Sequence, residues 1–405
     1  MNQAFTIGAS GVLDIDVPES QFLDPGNTVL NKALRVTSAS PISGYFLNRY
    51  PASSDMTYLL DIPALGTEYR VLGWQQSIIG ALQVSLTAVQ NGTVATITPA
   101  SALASGQPAG VPFNVTLNAG ESVIYNAPSG NDLTGSLITA TKPLAVFSGS
   151  QCADIPETAG ACDHIFTQLP PVNRLASEFV VPETADTGTA GNLVRIVAAT
   201  ANTVVTVNGT VVATLATGAF YEIPAAHNLH ITTSQPVLVG QFLKGFSETG
   251  HGDPAITFVP GINQTLSNYV FTTPTTSATS TAFDENFLSL AVPASALASL
   301  KLNGAAVDTS AFVPVGSSGY SAGTVAVPVG AGQIQASVPF IATLAGFTAY
   351  DSYLTIIGAS YSAGASPSPV TALPVPMNGP WTLLLAALGM VGIAGWQMRR
   401  LHDRA

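Results

Sequence analysis

Apolar and polar residues alternate along most of this chain in short runs, and one arrangement of them recurs four times. A Ser/Thr-rich turn leads to a proline, and the proline is followed by an apolar run. The segments read RVTSASPISGYFLN at 35–48, ITATKPLAVFSGS at 138–150, ITTSQPVLVGQFL at 231–243 and QASVPFIATLAGF at 335–347. Their prolines, Pro41, Pro143, Pro236 and Pro339, stand 102, 93 and 103 residues apart. Short runs rich in Val, Ile, Phe and Thr predict strands. A proline at the start of a strand forfeits no ladder bond, so each proline is expected to begin one.

Other pieces keep the same step. TVATITPA at 93–100, TVVTVNG at 203–209 and LKLNGAAV at 300–307 predict a strand with a turn. Asn208-Gly209 and Asn303-Gly304 predict tight hairpins, because both residue types tolerate positive φ. GTEYRVLGW at 66–74, SEFVVPE at 177–183 and SNYVFTTP at 267–274 each follow a proline-containing bend. A period near 95–100 residues therefore covers residues 5 to 360, with seven or eight short strands in each unit. Residues 5–50 hold only the second half of a unit, and AYDSYLTIIG after Phe347 holds only the start of the next. A closed ring would leave such halves. The expected fold is all-β: a propeller-like ring in which each period makes two four-stranded blades. Tandem β-sandwiches of immunoglobulin size are the alternative.

Composition points away from the cytosol and from nucleic acid. Only 9% of residues are charged, against about 25% in an average soluble domain. The net charge is −11, whereas nucleic-acid recognition needs a basic stripe. Cys152 and Cys162 stand in SQCADIPETAGACDH between strand-like runs. In an exported protein such a pair is expected to close a loop as a disulfide. Two free thiols are the alternative; zinc is disfavoured, since His164 is the only further ligand close in sequence.

The C-terminal stretch WTLLLAALGMVGIAGWQM, Trp381 to Met398, carries no charge. As a helix it would span about 27 Å, close to the thickness of a hydrocarbon core. Arg399, Arg400 and Arg404 follow it. The expected organisation is an all-β extracellular body at 1–360, a Ser/Pro-rich linker at 361–380, a transmembrane helix at 381–398 and a basic cytoplasmic tip at 399–405. This tail resembles the C-terminal sorting signals of Gram-negative bacterial surface proteins whose motif reads Ile-Pro-Thr-Leu-Ser-x-Trp. Val375, Pro376 and Trp381 match that motif in spacing, but Met377-Asn378-Gly379 replaces Thr-Leu-Ser. The first residues, MNQAFTIGASGVLDIDVP, do not form an export signal, so one is expected upstream of this numbering.

Taken together, KALRVTSASPISGYFLNRY, GTEYRVLGW, CADIPETAGACDHIFTQLPPV, TVVTVNGTVVATL, GDPAITFVPGINQTLSNYVF and AGFTAYDSY resemble the N-terminal domain of the IgG-Fc-binding protein family. The resemblance covers roughly residues 5–357. Cys152 and Cys162 fall where the family places a cysteine pair. It implies an extracellular binding domain and does not name the ligand.

Four aspartates, Asp55, Asp163, Asp253 and Asp351, follow the repeat prolines at similar intervals. At one end of a ring they would offer carboxylate oxygens to Ca²⁺ or another cationic group. The plainer alternative is that each caps its own turn. His164 beside Asp163, and His251 near Asp253, suggest a hydrolytic triad only weakly, because no nucleophile elbow is present. His227 and His230 lack a third ligand for zinc. Phosphate-binding glycine loops are absent. No catalytic residue, cofactor or resident metal is expected. The segment Gln151 to Pro171 is the first choice for a contact surface, with Asp55, Asp163, His164, Asp253 and Asp351 as ligand or cation contacts. The expected function is surface-anchored binding or adhesion to a host or environmental protein or glycan, such as a mucin-like glycoprotein or immunoglobulin. A self-associating envelope component and a secreted hydrolase are the alternatives.

Overall fold

The structure, a computed structural model, describes residues 4–8, 11–23, 26–50, 52–75, 82–185, 187–276, 282–361 and 381–385. Eight strands build its centre: β1 Tyr45–Tyr50, β2 Ser53–Tyr58, β3 Leu137–Ala153, β4 Asp163–Gln168, β5 Leu229–Leu243, β6 Ala255–Phe258, β7 Ala331–Thr348 and β8 Asp351–Ile356. The all-β expectation for the body is met by these and the shorter strands around them.

Three of the four repeat prolines lie within strands and do not begin them, while Pro41 lies four residues ahead of β1. Pro143, Pro236 and Pro339 lie inside the long strands β3, β5 and β7. Each stands where the register against a neighbouring strand jumps. From Thr139↔Glu68 to Leu144↔Gly66, β3 advances five residues while its partner advances two. The same jump occurs in β5, from Thr232↔Glu178 to Val237↔Ala176, and in β7, from Gln335↔Asn268 to Phe340↔Leu266. A bulge frees the proline from the ladder bond it cannot make, so the strand bends there and continues. In two periods a tyrosine closes the bulge. Tyr69 Oη accepts the Gly66 N–H and donates to the Leu144 carbonyl, at 2.8 and 2.6 Å. Tyr269 Oη does the same with Leu266 and Phe340, at 2.8 and 2.7 Å.

The bend decides the architecture. The first part of β3 pairs with Gly66–Arg70 and Thr93–Thr98, and the second with Leu82–Ala88 and β4. β5 and β7 divide their partners in the same way. Each period is therefore one curled sheet folded over at its long strand, like half a barrel. The expected division into two separate four-stranded blades is not what forms, because one continuous strand belongs to both halves. Apolar residues fill each fold. They include Leu82, Leu86, Ile97, Ile138 and Val146 in the first period, Val194, Ile196, Val205, Ile231 and Val239 in the second, and Leu288, Leu290, Ile334, Phe340 and Leu344 in the third. Each such side chain contributes about 1.5–3 kcal/mol on burial.

Arg195 rivets the first period to the second. Its side chain is 2% exposed; Nε meets Glu222 at 2.9 Å, and Nη1 meets Asp132 at 2.7 Å. It also donates to the Gly73 carbonyl and to Gln75, and its guanidinium lies 4.2 Å from the Trp74 ring centroid.

The C-terminal expectation is overturned where it can be compared. Trp381–Leu385 forms a strand, not a helix, and pairs antiparallel with Leu34–Ser38 from Ser38↔Trp381 to Leu34↔Leu385. A short apolar run has no period that separates a buried strand from a helix, and a neighbouring strand edge settles it. Among the described residues no helix is long and apolar enough to cross a membrane, so the membrane-held helix and the location built on it are withdrawn. Val375 and Pro376 of the expected sorting motif, and Arg399 and Arg400, lie outside the described residues.

Candidate functional site

Four hairpins, β1–β2, β3–β4, β5–β6 and β7–β8, bring β2, β4, β6 and β8 to a common centre. Each pairs with its own hairpin partner on one side. The other edges face inward, and an edge in a dry interior presents N–H groups that need acceptors.

Strand β2 supplies them. Alternate residues of a strand point to the same side, so Ser53, Asp55 and Thr57 stand in line. Ser53 Oγ accepts the His164 N–H at 3.1 Å, Asp55 Oδ2 the Phe166 N–H at 3.1 Å, and Thr57 Oγ1 the Gln168 N–H at 2.9 Å. Asp55 reaches further. Its Oδ2 also accepts the Ile256 N–H at 2.9 Å, and its Oδ1 accepts those of Leu354 at 3.1 Å and Met56 at 2.8 Å. One fully buried carboxylate thus takes a backbone N–H from each of the four strands. Burial pushes this carboxyl well above the usual range, and the four N–H donors pull it back toward the charged form.

These bonds place Met56, Phe166, Ile256 and Leu354 at one level. One residue on, every strand has a buried threonine: Thr57, Thr167, Thr257 and Thr355. Three residues before that level stand Ser53, Asp163, Asp253 and Asp351. The four aspartates are therefore not equivalent. Asp163, Asp253 and Asp351 share a position, Ser53 holds it in β2, and Asp55 lies two residues deeper. Asp55 does not merely cap its own turn.

The three equivalent aspartates are buried at one end of the hub. Burial raises all three carboxyls, Asp253 to about 7 and Asp351 to about 6; the charges of Asp351 and Asp253 push Asp163 further up. Asp351 accepts a hydrogen bond from Ser54 Oγ, and Arg49 Nη2 lies 3.6 Å from its Oδ2. His164 is buried; Asn48 Nδ2 lies 2.8 Å from its Nε2, and burial pushes the imidazole down to about 3. A neutral, enclosed imidazole is a poor general base for a solvent-borne substrate. His227 and His230 bond to different carboxylates, Glu183 and Glu178, at 2.8 and 3.0 Å. Among the described residues no group of three or more His, Cys, Asp or Glu side chains is placed to hold a metal ion.

The hairpin loops at this end make one face. The β7–β8 turn is tight, and the β3–β4 and β5–β6 loops are longer. Cys152 and Cys162 are disulfide-bonded and close the β3–β4 loop. That loop is tied to the next: Gly245 N–H donates to the Ile155 carbonyl at 2.8 Å, and Gly160 N–H to Ser247 Oγ at 3.0 Å. The β5–β6 loop contains the helical turn Phe246–Thr249, whose Phe246 ring meets Tyr350 of the β7–β8 turn at 4.7 Å between centroids. Tyr350 is 54% exposed. Below, Asp253 Oδ1 accepts the Phe246 N–H at 3.3 Å, which joins the carboxyl layer to the face.

Sequence reasoning brought Cys152, Cys162, Asp55, Asp163, His164, Asp253 and Asp351 into view, and the hub gathers all of them at or below this face. It missed Ser53, Phe246 and Tyr350. The signal for the hub was present as Asp-x-x-x-Thr in Asp163–Thr167, Asp253–Thr257 and Asp351–Thr355, with Ser53–Thr57 as its fourth copy.

A family model described as IgGFc binding protein matches residues 55–346. The human protein named IgGFc-binding protein (Homo sapiens) is 34% identical over 167 residues. That stretch covers 40% of this chain and 3% of the human protein, so the chain spans a small part of that relative's length. No solved structure matches significantly.

Proposed function

The chain belongs to the IgGFc binding protein family, and from that premise we propose that it is an extracellular recognition domain whose loop face binds a protein. The observation that carries this reading is the linkage of the disulfide-closed loop 152–162 to the Phe246 turn and Tyr350, above a rigid hub. Loops pinned on a stiff scaffold present contacts with little entropy left to lose on binding. Tyrosine and phenylalanine supply large contact areas with few rotatable bonds. The named human relative makes the Fc region of immunoglobulin G the first partner to try, and mucin-type glycoproteins the second. Binding, rather than catalysis, also suits the neutral, enclosed His164.

The test is binding of the full chain to immobilised IgG Fc and to a panel of extracellular glycoproteins. The expected result is saturable binding to a member of the panel, weakened about tenfold or more when Phe246 and Tyr350 are both changed to Ala. Undiminished affinity in that double variant would remove the loop face from the proposal. Failure of the wild-type chain across the whole panel would remove the proposal itself.

A further inference from the structure

We propose that Asp163, Asp253 and Asp351 form a proton-operated clasp that sets the rigidity of the loop face above them. They occupy the same position on three hub strands and are 0%, 3% and 4% exposed. The geometry leaves them short of counter-charge. Among the described residues Arg49 from β1 is the cation paired with the cluster: it lies 3.6 Å from Asp351, and its guanidinium lies 4.2 Å from the Phe283 ring centroid. Asp154 from the disulfide loop adds a negative neighbour to Asp253, and Asp284 another beside Arg49. Asp55 lies deeper, occupied by its four N–H donors, and His164 faces Asn48.

One atom points to the missing ligand. Asp163 Oδ1 accepts the His164 N–H at 2.6 Å, but Oδ2 is buried and has no hydrogen-bond partner. The Ser53 hydroxyl and the His164 N–H favour the charged form of Asp163, but a bare carboxylate oxygen has nothing to donate. A protonated carboxyl can donate to a neighbouring carboxylate. Neighbouring carboxyls in a dry site disfavour one another's charge, which couples Asp163 and Asp253 to the cluster, while burial raises Asp351. Burial, and for Asp163 and Asp253 the neighbouring carboxylates, favour the protonated forms. Among the described residues no three His, Cys, Asp or Glu side chains are placed to hold a metal ion.

The cluster is wired to the loops. Asp253 holds the Phe246 N–H through Oδ1, and its own N–H donates to Ser352 Oγ at 2.9 Å. Asp163 directly follows Cys162 of the disulfide. Loss of the protons sets the carboxylates against one another and loosens the attachments of both long loops.

The test is amide hydrogen exchange of the full chain at about pH 5 and about pH 8, corrected for intrinsic rates. Wild-type protection in 152–162 and 245–253 is expected to fall roughly tenfold or more at the higher pH. Asp253→Asn and Asp163→Asn keep the side-chain shape without the ionisation, and each is expected to lose most of that response. An unchanged response in both variants, or none in the wild type, overturns the clasp. Recovery of protection at about pH 8 on adding millimolar calcium would assign the cluster to a cation and overturn it equally. The readout is the loops themselves, so either failure leaves the recognition proposal standing.

Discussion

Asp55 accepts the backbone N–H of Leu354 at 3.1 Å, across 299 residues of sequence. That bond joins the N-terminal hairpin to the last strand of the third period. The same carboxylate holds strands from the first and second periods, so the three curled sheets meet on one side chain.

Replacing Asp55 with Ala should leave N–H groups of four strands without an acceptor. Each buried orphan costs about 1–3 kcal/mol, so the variant is expected to lose more than about 4 kcal/mol. Asp55→Asn retains one oxygen and should lose roughly 2–4 kcal/mol. Urea unfolding midpoints measure both. A change under about 1 kcal/mol in the Ala variant would show that the hub does not depend on this residue.

Tyr69 and Tyr269 close equivalent bulges with their hydroxyls, whereas the second period has Phe179 at the corresponding place. Tyr69→Phe and Tyr269→Phe should each cost about 1–2 kcal/mol, since each leaves a buried N–H and a carbonyl without a partner. The two sites share no contacts, so the double variant is expected to be additive. Thermal or urea unfolding reads this directly; a neutral outcome at both positions would mean that water serves the bulge as well as the phenol does.

At the junction of the first two periods, Arg195 satisfies Asp132, Glu222, Gln75 and the Gly73 carbonyl while stacking on Trp74. Lysine cannot reproduce that planar fork. Arg195→Lys is expected to cost about 2–4 kcal/mol, and Arg195→Met at least as much, because each leaves carboxylates or a carbonyl short of a donor. Limited proteolysis should then cut between the first two periods before it cuts within either. Wild-type resistance in both variants would argue that the apolar contacts alone hold the junction.

Two sets of buried groups shape the dependence of stability on pH, and they oppose each other. The carboxyls of Asp253 and Asp351, raised to about 7 and about 6, bind protons in the folded chain that they release when unfolded. Their stabilisation is complete below about pH 4, the ordinary carboxyl value, and is lost as pH rises through 6 to 7. His164, lowered to about 3, stays neutral when folded and takes a proton near pH 6.5 when unfolded. Its contribution grows as pH rises from about 3 to about 6.5 and is constant above. Between about pH 4 and 6.5 the two partly cancel; from about 6.5 to 8 only the carboxyls act, and the unfolding midpoint should fall. Midpoints measured across this range, with His164→Gln and Asp253→Asn as controls, separate the two. A midpoint that climbs between about pH 6.5 and 8 would refute the assignment.

Much of the local structure was legible in the residues themselves. The β-branched runs and the Asn208-Gly209 and Asn303-Gly304 turns report on neighbours a few positions away, and strands and hairpins form there. The hundred-residue period and the Cys152–Cys162 pairing were legible for the same reason: each is a matter of spacing. The prolines were legible as strand punctuation but not as bulges, because a bulge exists only relative to a partner strand, and Pro143 meets its register jump against residues near Gly66.

Tertiary structure alone decided the rest. Repetition along the chain says nothing about which edges face inward, so four aspartates looked alike until the hub set Asp55 apart from Asp163, Asp253 and Asp351. Trp381–Leu385 reads as the opening of an apolar helix until the edge of Leu34–Ser38 offers it a ladder. In both cases the deciding partner lies hundreds of residues away, and an unpaired backbone or carboxylate group takes its meaning from whatever the fold sets beside it.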